Sequence, residues 1–117
     1  MPTIFVYGTL LRGEANAHLL EGARFIGAAR TTPRYELLDL GEYPALCEGG
    51  SARVSGEIYE VDEATLALLD ELEGHPELFR RASIALEDGV EVQCYVFVAS
   101  NRVPGGRVIA SGDWRKG

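Results

Sequence analysis

The chain has 117 residues, 46% of them hydrophobic and 25% charged, the balance expected of one globular domain over residues 1–117. A net charge of −7 repels a phosphate backbone, so a nucleic-acid partner is not expected. No apolar run approaches the roughly 20 residues of a membrane span, and Met-Pro-Thr-Ile-Phe-Val-Tyr-Gly lacks the basic start of an export signal, so no membrane partner and a cytoplasmic location are expected.

In chain order, residues 3–7 are continuously apolar and β-prone, which predicts a central strand buried on both faces and broken by Gly8. A short helix over 14–20 leads to a strand over 23–31. Another strand is expected over 35–40, then a turn at Gly41-Glu42-Tyr43-Pro44. The strand over 53–61 carries Val54, Gly56 and Ile58 on one face, and Ser55, Glu57, Tyr59 and Val61 on the other.

Residues 63–73 predict the main helix. Asp62 is its N-cap, with Val61 and Leu66 as a hydrophobic staple, and Gly74 and Pro76 end it. At about 100° per residue, Leu66, Leu68, Leu69 and Leu72 are expected to form its apolar face. Glu73 projects between Leu66 and Leu69, whereas Glu63, Asp70 and Glu71 are expected to point away. Strands over 82–86 and 90–98 flank Asp88-Gly89, whose two positions tolerate the positive φ of a tight hairpin. Residues 101–117, rich in Gly and Arg, are expected to cross the surface.

The scarce residue types exclude several chemistries. Lys116 is the only lysine and stands one residue from the end, which leaves no buried Schiff-base lysine. His18, Cys47, His75 and Cys94 form no pair at metal-ligand spacing, so no metal is expected. No phosphate-loop, dinucleotide or G-x-S-x-G motif occurs, and no cofactor is expected. Cys94 alternates with valines and reads as a core thiol; Cys47 has no histidine near it in sequence.

Two features remain. A carboxylate at position 73 combines partial burial with the negative end of a helix dipole, and both raise its pKa toward the range of a general base. The alternative is a frayed terminal residue in water or paired with Arg80 or Arg81. The second feature is Tyr7-Gly8-Thr9-Leu10, where a buried strand meets a glycine. Successive amides in such a turn make an anion-binding nest, with Gly8 expected to supply a backbone conformation that other residues avoid. The alternative is an ordinary strand-end turn.

The opening Ile4-Phe5-Val6-Tyr7-Gly8-Thr9-Leu10-Leu11-Arg12-Gly13 resembles that of the γ-glutamylcyclotransferase-like (AIG2-like) family. Leu69-Asp70-Glu71-Leu72-Glu73-Gly74-His75-Pro76, followed by Phe79-Arg80-Arg81, is similar to that family's catalytic glutamate segment. Gly56-Glu57-Ile58-Tyr59 and Ser111-Gly112-Asp113-Trp114 fit as well, and the first two segments look nearest to the γ-glutamylamine cyclotransferase branch.

The resemblance implies an α+β fold, a small mixed β-barrel with one main helix and one or two short helices packed outside. It implies that Glu73 takes a proton from the α-ammonium of a small γ-glutamyl substrate. The freed amine then attacks the γ-carbonyl, giving 5-oxoproline and a released amine. Tyr7, Gly8, Thr9 and Leu10 would hold the γ-glutamyl group, with no metal and no cofactor. Glutathione or γ-glutamyl dipeptide cleavage and a non-catalytic ligand-binding module are the alternatives. His75 stands where relatives often carry an aromatic residue, as a loop residue near the pocket or a proton donor to the leaving amine. Tyr95 and Phe97 are read as cavity-lining or packing residues.

Overall fold

The computed structural model describes residues 1–101 and 107–117. Eight strands form one mixed sheet: β1 (Thr3–Val6), β2 (Arg24–Arg30), β3 (Tyr35–Asp39), β4 (Pro44–Glu48), β5 (Ser55–Glu60), β6 (Phe79–Ala85), β7 (Glu91–Phe97) and β8 (Arg107–Val108). One path runs β2-β5-β1-β7-β4-β3-β8, and β6 pairs with β7. The sheet curls into an incomplete barrel. Its arc β2-β5-β1-β7-β6 is drawn together by the bridge Thr31↔Leu86, and Arg30 and Glu87 pair beside it at 3.2 Å.

β7 is the organising strand. β6 runs antiparallel along one edge, from Phe79↔Phe97 to Ala85↔Glu91. Two strands share the other edge, both parallel to β7. β1 pairs through Ile4↔Gln93 and Phe5↔Cys94, and β4 then takes over at Leu46↔Val96. Continued in register, Tyr7 would have faced Val96. Leu46 holds that place, so the chain after β1 peels away from the sheet at Tyr7.

A core lies on each face. Phe5, Leu37, Leu46, Val54, Ile84, Val92, Cys94 and Val96 fill the inner one. Ile4, Val6, Tyr59, Leu66, Leu69, Phe79, Tyr95 and Phe97 build the outer one. The one α-helix among the described residues, α1 (Glu63–Leu72), brings Leu66 and Leu69 to that outer core. Its start is as expected: Asp62 accepts the Thr65 N–H at 2.7 Å, and Val61 and Leu66 are both buried.

Several expectations need correction. Leu68 and Leu72 are 55% and 43% exposed, so neither belongs to the buried face. That face is the i, i+3, i+4, i+7 stripe of Leu66, Leu69, Asp70 and Glu73, whose last two members are half-buried carboxylates. The helix expected over 14–20 is only a 3₁₀ turn, Ala17–Leu20. β6 begins at Phe79, three residues before the expected start, because a strand outside the main path tolerates the exposed Arg80. β4 was not foreseen. The β6–β7 loop spans Glu87, Asp88 and Gly89, with Leu86 N–H bonded to the Val90 carbonyl at 2.8 Å and only Gly89 at positive φ. Of the surface segment expected over 101–117, residues 102–106 lie outside the described residues, while Ile109 is buried and Trp114 packs on the inner core.

Candidate functional site

The parting of β1 from β7 opens a cleft. Phe5, Val6, Tyr7, Gly8, Thr9, Leu10, Tyr43, Pro44, Glu73 and Tyr95 line it. The five residues singled out in the sequence, Tyr7, Gly8, Thr9, Leu10 and Glu73, all line this one cleft.

Tyr7 closes its floor. The buried hydroxyl donates to the Tyr95 carbonyl at 2.7 Å and accepts the Leu46 N–H at 3.2 Å. One phenol thereby fills the polar gap left where β1 yields its place on β7 to β4. Burial raises its pKa, with Cys94 and Glu73 adding to the effect, so it stays a neutral phenol.

Beyond it the chain turns, with Leu11 N–H bonded to the Gly8 carbonyl at 3.0 Å. Among the described residues, the N–H groups of Gly8, Thr9 and Leu10 meet no acceptor. Three successive amides are thus free to receive an anion. Gly8 does not adopt the positive φ expected of it. Its reason for being glycine is proximity: a Cβ there would lie 2.5 Å from Pro44 Cγ.

Glu73, at the end of α1, lines the same cleft. It is the C-cap residue, its N–H bonded to the Leu69 carbonyl at 2.9 Å and its carbonyl accepting from Phe79 N–H at 3.3 Å. The side chain is therefore carried by a backbone fixed at both ends. Among the described residues its carboxylate has neither a hydrogen-bond donor nor a cation. Burial alone pushes its pKa up to about 7.

The two arginines named from the sequence as possible partners, Arg80 and Arg81, are committed elsewhere. Arg80 pairs with Glu48 at 3.5 Å, and Arg81 grips Asp70 with two bonds of 3.0 and 3.2 Å. Asp70, expected to point away, instead accepts the Tyr95 hydroxyl at 2.6 Å. Burial disfavours its charge, but the bonds from Tyr95 and Arg81 outweigh burial and lower its pKa. Burial and the Asp70 bond raise that of Tyr95, which therefore stands as a neutral donor at the cleft wall. His75 does not line the cleft; its Nδ1 accepts the Arg81 N–H at 3.1 Å. Phe97 packs in the outer core, whereas Tyr95 serves both core and cleft. Cys94 is a buried inner-core thiol, as expected.

Tyr43, Pro44, Asp70 and Arg81 were not foreseen as part of this site. The i+4 spacing from Leu66 to Asp70 was the available signal for one of them. Among the described residues, no group of three or more His, Cys, Asp or Glu side chains is placed to hold a metal ion. No helix of the described residues is long and apolar enough to cross a membrane.

The family described as "Gamma-glutamyl cyclotransferase, AIG2-like" matches residues 4–116. A Vibrio cholerae relative named after the same activity is 44% identical, over 95% of this chain and 93% of its own. The gamma-glutamylaminecyclotransferase of Bos taurus is 41% identical, over 86% of this chain and 67% of its own. The solution structure of Escherichia coli YtfP superimposes with a TM-score of 0.74 at 36% identity, covering 98% of this chain and 99% of that one. The chain belongs to the γ-glutamyl cyclotransferase, AIG2-like family.

Proposed function

We propose that this protein is a γ-glutamylamine cyclotransferase, releasing 5-oxoproline and a free amine by intramolecular attack of the substrate's α-amino group. One observation carries the reading: among the described residues, the Glu73 carboxylate has no partner and shares a cleft with three amides that meet no acceptor. The amides of Gly8, Thr9 and Leu10 receive the substrate's α-carboxylate, which puts the neighbouring α-ammonium within reach of Glu73.

The pKa of Glu73 makes the proton transfer feasible. Raising the glutamate from its ordinary 4.5 to about 7 removes about 3.4 kcal/mol from the cost of taking the α-ammonium proton. The freed amine attacks the γ-carbonyl carbon, forming the ring C–N bond. The protonated Glu73 gives its proton to the departing nitrogen as the old C–N bond breaks, and the regenerated carboxylate takes the second proton from the ring nitrogen and passes it to the released amine. The substrate supplies its own nucleophile, so the cleft orients the two ends and moves protons between the two nitrogens. No cofactor enters this scheme, and a chelator is expected to leave the rate unchanged.

The lining also favours a leaving amine over a leaving amino acid. Glu73 is the only charged residue among the ten that line the cleft. A γ-glutamyl dipeptide or glutathione would bring a second carboxylate with no cation in that lining to meet it. The test is 5-oxoproline release from a γ-glutamyl alkylamine, a γ-glutamyl dipeptide and glutathione. The alkylamine is expected to show the highest kcat/KM. A preference for glutathione would reassign the substrate, and no release from any compound would leave a non-catalytic binding module.

A further inference from the structure

Asn16 immediately precedes the 3₁₀ turn Ala17–Leu20, the position where asparagine ordinarily caps a helix through its side-chain oxygen. Here the side chain makes no capping bond. Its Nδ2 donates instead to Thr9 Oγ1 at 2.9 Å, and its main-chain N–H donates to the Thr9 carbonyl at 2.8 Å. One residue thus holds Thr9 at two points, on the loop that lines the cleft.

We propose that Asn16 is a positioning residue that aims the amides of this loop at the substrate's carboxylate. The inference rests on the cyclotransferase reading above. A trans peptide is planar, with its C=O and N–H pointing in opposite directions. Fixing the Thr9 carbonyl on Asn16 therefore fixes the Leu10 N–H on the opposite side. The Leu11-to-Gly8 bond does the same for the Thr9 N–H. The side-chain bond adds a further constraint. An amide nitrogen only donates, so Thr9 Oγ1 accepts from Asn16 and its own proton remains available as one more donor beside the amides.

The test compares wild type, Asn16→Leu, Asn16→Ala, Thr9→Val and the Asn16→Leu/Thr9→Val double variant, by kinetics of 5-oxoproline release and by Tm. Loss of one such bond is expected to raise KM about tenfold in each single Asn16 variant. The kcat should stay within about twofold, because Glu73 is untouched. The double variant should be no worse than the poorer single one, since both changes remove the same bond. Asn16→Asp should be at least as impaired as Asn16→Leu, because a carboxylate only accepts and draws the Thr9 proton to itself. An unchanged KM in folded Asn16→Leu or Asn16→Ala would overturn the proposal, as would additive losses in the double variant. If both Asn16 variants fail to fold, a wild-type KM in Thr9→Val overturns it. If the wild type releases no 5-oxoproline, the cyclotransferase reading fails first. Calorimetry with 5-oxoproline and L-glutamate then decides: weakened binding in Asn16→Leu supports the positioning role, and unchanged or undetectable binding in the wild type and variant overturns it.

Discussion

Gly8 and Pro44 stand so close that a Cβ added to Gly8 would lie 2.5 Å from Pro44 Cγ and 2.7 Å from Cδ. The closeness follows from the sheet. β1 ends where β4 begins along one edge of β7, so the residues that leave one strand abut those that enter the other. Gly8→Ala should therefore destabilise the fold by about 1–3 kcal/mol, as overpacking against a stiff ring does. Pro44→Ala in the same chain should recover part of that loss. Denaturant titration of the single and double variants checks both, and a silent Gly8→Ala would contradict the close approach.

Activity should depend on the ionisation of Glu73. Burial holds its pKa at about 7, so kcat/KM should rise tenfold per pH unit below that value and level off above it. A pH profile already flat from pH 5.5 upward would show an ordinary carboxylate instead.

The same burial has a consequence for stability, with a definite sign. The folded pKa of Glu73 lies above its ordinary 4.5, so its contribution to stability is present below pH 4.5 and is lost as pH rises through about 7. The loss is on the order of 3 kcal/mol. Glu73→Gln carries no charge to bury, so its Tm should match wild type near pH 4 and exceed it by several degrees at pH 8. Equal melting temperatures at pH 8 would mean that the ionised side chain is solvated in the folded state.

Asp70 gives the opposite pH dependence. Its pKa is lowered below the usual 3.8 despite burial, because Tyr95 and Arg81 donate to the charged form. Its contribution to stability is present above pH 3.8 and is lost as pH falls through the lowered folded value. Asp70→Asn should lower stability by about 1.5–3 kcal/mol at neutral pH, and the gap should close in strong acid. Thermal melts across pH 2–7 test this; a gap independent of pH would remove ionisation from the account.

The parts of this fold legible in the sequence are those specified by local rules. Asp62, Gly74 and the apolar residues between them marked α1, and continuous apolarity marked β1 as a central strand. β4 was hidden because Pro44 reads as a turn residue, yet proline is tolerated as the first residue of a strand. Its Ala45, Leu46 and Cys47 are all buried, which erases the alternation that identifies a half-exposed strand. Asp70 was misjudged because Leu68 and Leu72 drew the expected apolar face toward solvent. Its partners Arg81 and Tyr95 come from β6 and β7, far away in sequence. Glu73 was placed correctly because helical geometry alone aims it between Leu66 and Leu69. The opening of the cleft depends on β4 displacing β1 along β7, a non-local event that no local pattern announces.

The most direct measurement of the central claim is the rate of 5-oxoproline release by Glu73→Gln, with Glu71→Gln as the matched control on the exposed side of α1. Glutamine keeps the volume and the backbone bonds of position 73 but cannot accept the ammonium proton. Loss of a general base costs about 10²–10⁴ in rate, so kcat should fall by that factor while KM stays near wild type. Glu71→Gln should retain wild-type kinetics. A Glu73→Gln protein that releases 5-oxoproline at the wild-type rate would contradict the account.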